Sequence, residues 1–213
     1  MRLSSLFKPR YLFYRIRGKL FEIMHPEVPW LGNSAILFLD NWLKPSDIGF
    51  EWGSGRSTIW IGRKVKHLIS IEDKQDWYIK IKEEIAINGL NGKIDLRFIP
   101  CELKEQDEPE SHPYADIILN YPDAYFDFIL IDRNIRSLCM ERAIEKIKQG
   151  GLLILDNANR YIPNRFLNGF STVHEPRDYP RSTKWAQIIE QLKDWRWINT
   201  SDGIWDTRFW IKV

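Results

Sequence analysis

Four apolar runs, each stopping at an acidic residue, constrain this chain more than any other feature. Ile48-Gly49-Phe50 ends in Glu51, His67-Leu68-Ile69-Ser70-Ile71 in Glu72, Phe126-Asp127-Phe128-Ile129-Leu130-Ile131 in Asp132, and Leu152-Leu153-Ile154-Leu155 in Asp156. Short runs of branched and aromatic residues read as strands, and near-continuous apolarity marks strands buried on both faces. Between them lie helical patterns at 56–65, 76–88, 114–119 and 136–148. One more strand is expected over 93–101, where Ile94, Leu96, Phe98 and Ile99 carry the apolar pattern. Strand and helix in alternation predict a parallel sheet with helices on both faces and right-handed crossovers. Ligands of such sheets bind beyond the carboxyl ends of the strands, which is where the four acids fall.

The remaining chain extends this plan. A helix over 183–194 precedes two closing strands, 195–200 and 207–213, around the turn Ser201-Asp202-Gly203. The expectation is an α/β fold with a doubly wound, mostly parallel seven-stranded sheet and an N-terminal helical extension. The extension, residues 1–43, precedes a domain over 44–213. Within it, residues 11–24 interleave Arg15, Arg17 and Lys19 with Leu12, Phe13, Ile16, Leu20, Phe21 and Ile23 at helical spacing. That helix is expected to pack on the domain; a membrane surface or a homodimer contact are its other readings. A Pro-punctuated linker at 25–30 and a helix at 34–43 follow. Gly150-Gly151 is read as a turn, and 158–182 as a long loop of the kind that forms lids and binding loops.

The stretch Glu51-Trp52-Gly53-Ser54-Gly55-Arg56-Ser57-Thr58 carries the chemistry. Glycines at a strand-to-helix turn let a ligand approach the backbone, and the helix that follows presents unpaired N–H groups. A dinucleotide fingerprint needs a third glycine where Thr58 stands, and the P-loop ending is missing. Glu72 lies at the tip of the next strand, where an acid accepts hydrogen bonds from ribose hydroxyls. Trp77 follows and either covers the sugar or packs. With 31 basic against 29 acidic residues, the net charge of +2 argues against nucleic acid as a partner. Cys101 and Cys139 lack metal-ligand spacing and read as reduced thiols in a cytoplasmic protein. No run reaches the length of a membrane span, and the first ten residues lack the apolar core of a signal peptide.

Taken in order, the glycine turn, Ile71-Glu72-Asp73, the run ending at Asp132 and Gly150-Gly151-Leu152-Leu153-Ile154-Leu155-Asp156-Asn157 resemble the class I S-adenosylmethionine-dependent methyltransferases of the small-molecule type. The resemblance implies that Glu51, Trp52, Gly53, Ser54, Gly55, Ser57 and Thr58 hold the methionine part of S-adenosylmethionine, with Glu72 on the ribose. Glu102 takes the position that touches the adenine amine, although the charged run 102–108 also reads as a solvated loop. A sharper likeness is to the cation-dependent O-methyltransferases, such as the catechol and caffeoyl-CoA enzymes. It implies a divalent ion, Mg²⁺, on Asp132, Asp156 and Asn157, with Asp132 at the catalytic position. Hard oxygen ligands suit that ion. The chain departs from the family at Ile135, where a lysine base is expected, and Arg133 and Arg136 stand nearby as clamps for an anionic group. The implied activity is methyl transfer from S-adenosylmethionine to a hydroxyl of a small molecule. The alternatives are a nucleoside-binding module without catalysis, and a nucleic-acid methyltransferase. The second is disfavoured by the charge and by the absence of an Asn/Asp-Pro-Pro-Tyr/Phe motif.

Overall fold

A computed structural model describes residues 9–104, 107–163 and 180–213. Seven strands form one sheet in the order β3-β2-β1-β4-β5-β7-β6. They are β1 (Ile48–Trp52), β2 (His67–Glu72), β3 (Ile94–Phe98), β4 (Phe126–Ile131), β5 (Ile147–Leu155), β6 (Arg196–Ser201) and β7 (Asp206–Ile211). The first five are parallel; β7 enters antiparallel to β5, and β6 closes the edge antiparallel to β7. The expected doubly wound sheet and its closing antiparallel pair are present.

The period of two along each strand sorts the side chains between two layers. Phe128 and Leu130 of β4 and Leu152 and Ile154 of β5 face α2 (Asn33–Trp42), α3 (Arg56–Lys64) and α4 (Gln75–Ile87). Ile129, Ile131, Leu153 and Leu155 face α5 (Pro113–Asp116), α6 (Arg136–Ala143) and α7 (Thr183–Gln191). Helix α1 (Pro9–Met24) lies outside both layers. It is held by Tyr11, which is buried, by Tyr14 against Gly203, and by Arg56, whose Nη1 donates to Glu22 O at 3.2 Å.

Three expectations need correction. The helix at 136–148 stops at Ala143, because the Lys146 carbonyl is taken by the N–H groups of Tyr125 and Phe126 and Ile147 pairs with Phe126. Gly150 and Gly151 lie inside β5 rather than in a turn. Between two β4–β5 register points, β4 advances from Phe126 to Phe128 while β5 advances from Ile147 to Leu152. Gly150 takes φ +76° in that bulge, a conformation that L side chains rarely adopt. Strand β3 is shorter than expected, ending at Phe98. Of the long loop at 158–182, residues 164–179 lie outside the described residues. Its start, Ala158–Arg160, is a short 3₁₀ turn, and its end returns to it where Arg181 N donates to Tyr161 O at 2.8 Å.

Candidate active site

The carboxyl ends of β1, β2, β4 and β5 share one rim, and two cavities open on it. The first, about 350 Å³, is lined by Gly53, Ser54, Gly55, Ser57, Trp77 and Asp132 among others. The second, about 590 Å³, lies between α1 and the tips of β4 and β5, and Asp132, Asp156 and Asn157 line it. Asp132, Pro29, Trp30 and Leu31 belong to both. The volumes are those of pockets for a cofactor and a modest organic ligand.

The glycine turn is built from beneath. Gly53 takes φ +97°, and a Cβ there would meet the Asp132 carbonyl oxygen at 2.6 Å. At Gly55 the backbone is extended and a Cβ would meet nothing within 4 Å, so its missing side chain leaves open floor in the cavity. Glu51 is fully buried under the turn and accepts from Thr58 Oγ1, from Ser70 Oγ at 2.7 Å and from Ser57 Oγ at 3.1 Å. Burial pushes its carboxyl up to about 7, against the three hydroxyl donors that favour the charged form; the charge of Asp132 adds to the rise. Thr58 also accepts from Gly55 N at 2.9 Å, which ties the start of α3 to the same carboxylate.

Glu72 stands one strand over, as expected, but its carboxylate is directed at the turn. Ser54 donates to Oε2 through N at 3.1 Å and through Oγ at 2.6 Å, and Lys74 N donates to Oε1 at 2.9 Å. Burial raises the pKa of this group as well. Trp77 Nε1 donates to Ser54 O at 2.7 Å, so the turn is gripped from a second side. Glu51, Glu72 and Thr58 therefore shape the first cavity without lining it. Trp52 is placed differently from the expectation. As the residue after Glu51 it points to the opposite sheet face, where it is wholly buried, stacks edge-on against Phe50 and donates from Nε1 to Tyr114 O at 2.7 Å. Glu102 is exposed and lines neither cavity.

Several lining residues escaped the sequence reading. Pro29 and Trp30, read as linker, and Leu31 beside them form the wall between the cavities. The Trp30 ring stacks on Trp77 with centroids 6.0 Å apart, and the Arg56 guanidinium lies 5.1 Å from the Trp30 ring. Lys74 joins the lining because the turn after β2 brings it round. The only local signal was an aromatic residue directly after a proline, which also suits a linker.

At the junction the trio Asp132, Asp156 and Asn157 does come together, but not as an open set of oxygen ligands. The Arg136 guanidinium, almost completely buried, reaches back one helical turn and donates from Nη2 to Asp132 Oδ1 at 2.7 Å and to Asn157 Oδ1 at 3.4 Å. Its Nη1 donates to Tyr161 Oη at 2.7 Å. Asp156 is spoken for by Thr207 Oγ1 at 2.7 Å and by Asn157 Nδ2 at 2.8 Å. Burial, with the neighbouring Asp132 charge, pushes its carboxyl up to about 8. Among the described residues no three His, Cys, Asp or Glu side chains converge on a cation position. The residues present do not fit a divalent ion. Ile135, at the family's lysine position, is wholly buried at φ +44° at the start of α6, so it brings no base to the rim. Arg133 is committed to buried Asp73 through Nε at 2.6 Å, with Asn134 Nδ2 on the other oxygen at 3.1 Å.

No family model and no curated protein matches the chain. Solved structures do. An O-methyltransferase from Bacillus cereus in complex with SAH superposes with a TM-score of 0.57 at 19% identity, over 83% of this chain and 78% of that one. A methyltransferase from Geobacter sulfurreducens gives 0.57 at 13% identity, over 93% and 88%. Cofactor-bound Rv0187 from MTB gives 0.59 at 15%, over 96% and 89%. At these identities the likeness is one of architecture: the chain has the class I methyltransferase fold.

Proposed function

We propose that this protein is an S-adenosylmethionine-dependent methyltransferase that acts on a hydroxyl of a small molecule and needs no divalent ion. One observation carries the reading: two cavities, one over the glycine turn and one under α1, meet at Asp132. Donor and acceptor on either side of that carboxylate would be held in line, and positioning of that kind is the main resource of a transfer between bound partners.

S-adenosylmethionine, when bound, supplies an electrophilic methyl group. The chain's own residues do the rest. Gly53 to Gly55 offer bare backbone to the methionine part, and Ser57 with the first turn of α3 adds donors. Glu72, buried beneath the turn, holds Ser54 through Oε2 and Lys74 N through Oε1 and so fixes the shape of the backbone on which the nucleoside would lie. Asp132 accepts the proton of the acceptor hydroxyl as its oxygen is methylated. Arg136 keeps that carboxylate aimed and supplies the positive charge that a metal would otherwise bring. Trp30 and Leu31 keep water from the junction.

Calorimetry with S-adenosylmethionine and S-adenosylhomocysteine is the direct test. Saturable binding of both, weakened by Glu72→Ala, is expected; no heat from either removes the reading. Methyl transfer to a panel of hydroxyl compounds should then proceed undiminished in EDTA. Turnover that needs added Mg²⁺ would overturn the metal-free part. Binding without turnover on any acceptor would favour the binding-module reading instead.

A further inference from the structure

Helix α1 leaves its apolar stripe largely uncovered, with Ile16 also bordering the second cavity. At 100° per residue, Leu12, Ile23, Ile16, Leu20, Phe13 and Met24 fall within about 120° of one another. A stripe that wide normally faces a core. Here these six side chains are 52–66% exposed, while Tyr11 and Tyr14 on the other side hold the helix to the fold. The stripe is bordered by exposed basic residues, Arg17 on one flank and Lys19 then Arg15 on the other. Lys19 also pairs with Glu22 at 3.2 Å on the surface.

Charge selects the occupant. Residues 1–24 hold six basic residues (Arg2, Lys8, Arg10, Arg15, Arg17, Lys19) and one acid (Glu22). Taking these from the chain totals of 31 and 29 leaves 25 basic and 28 acidic residues in the remainder. The positive charge of an otherwise slightly negative protein is thus concentrated in its first 24 residues, and Arg15, Arg17 and Lys19 border the stripe itself. Two copies meeting stripe to stripe would bring like charges together, which opposes association. A basic border around an apolar face is instead the pattern of a helix lying in the headgroup layer of an anionic membrane.

We propose that α1 docks the protein peripherally on an anionic lipid bilayer, with the Leu12–Met24 stripe in the headgroup–acyl boundary and Arg15, Arg17 and Lys19 among the headgroups. No helix among the described residues is long and apolar enough to cross a membrane, so the contact is a surface one. Because α1 also walls the second cavity, docking would bring that cavity close to the lipid surface. The proposal stands apart from the methyl-transfer reading and is tested without it. The full-length chain is sedimented with vesicles of phosphatidylcholine alone and with vesicles that also contain phosphatidylserine. Binding to the anionic vesicles only is expected, weakened by salt. Leu12→Asp/Leu20→Asp should reduce it about tenfold or more, and Arg17→Glu less. Both variants alter exposed side chains, so an unchanged melting temperature verifies that they fold. Equal binding to both vesicle types, no binding, or full binding by the Leu12→Asp/Leu20→Asp chain would overturn the proposal. So would a homodimer in solution that the same double substitution dissociates, which would assign the stripe to a second copy.

Discussion

Gly53→Ala is expected to lose both stability and cofactor affinity. Two costs combine at this position. The backbone sits at φ +97°, which an L side chain adopts only under strain of roughly 1–3 kcal/mol. The new Cβ would also stand 2.6 Å from the Asp132 carbonyl oxygen and 3.2 Å from Arg133 Cβ. Backbone cannot swing aside as a side chain tip can, so overpacking adds another ~1–3 kcal/mol. The sum is about 4 kcal/mol, which corresponds to a fall in melting temperature of roughly 10 °C for a chain of this size. The affinity for S-adenosylmethionine should fall at least about tenfold, because relief of the clash moves the turn or the Asp132 strand end, and both border the first cavity. Gly55→Ala is the informative control. Its Cβ enters open space from an extended backbone, so its melting temperature should match the parent within a degree or two. The same methyl group would occupy the cavity floor, so Gly55→Ala should still weaken cofactor binding. Equal melting temperatures for Gly53→Ala and the parent would refute the strain argument. Unchanged affinity in Gly55→Ala would place the ligand away from the turn.

The second large effect is a dependence of stability on pH that traces to Glu51. Its carboxyl is fully buried and titrates at about 7, against 4.5 for the ordinary group. Between those values the folded chain binds a proton that the unfolded chain releases. The stabilisation is therefore complete below pH 4.5, declines as pH rises, and is gone above about 7. Its size follows from the displacement and is about 3 kcal/mol. Glu51→Gln keeps an amide oxygen for Thr58, Ser70 and Ser57 and removes the titration. The stability difference between parent and variant, from denaturant midpoints at a series of pH values, should shift against the parent by that amount between pH 4.5 and 7. A difference that stays flat would show that Glu51 titrates as an exposed carboxyl does. Asp156 and Glu72 add raised carboxyls of their own, so the comparison must be a difference and not the parent curve alone.

Arg136 gives the acids at the junction a partner that their positions in the sequence did not announce. Asp132, Asp156 and Asn157 occupy the strand-tip positions that the resemblance assigned to a metal. A guanidinium from the first turn of α6 stands between two of them. Arginine stays charged and forks its donors across planar acceptors, so it acts as a fixed cation with defined geometry. The sequence displayed the residue, four positions after Asp132, but not its direction. That direction follows from Ile135, whose buried side chain and left-handed backbone start α6 with Arg136 turned toward the rim.

How far the sequence could be read follows from the range of the forces involved. Alternation of apolar residues, glycines at a strand end and acids at strand tips are local patterns, and they suffice for the sheet, its order of elements and the glycine turn. Orientation and company are not local. Trp52 went to the core because odd and even positions of β1 face opposite layers. Gly150 and Gly151 entered a bulge because Lys212, just past β7, takes the N–H of one and the carbonyl of the other. Pro29 to Leu31 became a cavity wall because Trp30 is held between Trp77 and Arg56, far along the chain.

The chain by itself thus determined a doubly wound sheet with a bare backbone turn and four carboxylates along one rim, since period and turn chemistry act over a few residues. Only the folded structure decided which carboxylates line a cavity, which are buried as struts beneath the turn, and that an arginine stands among the acids at the junction. Those outcomes depend on burial and on hydrogen bonds between distant residues, such as Glu72 with Ser54, 18 apart, and Ile48 with Asp127, 79 apart. No local pattern encodes them.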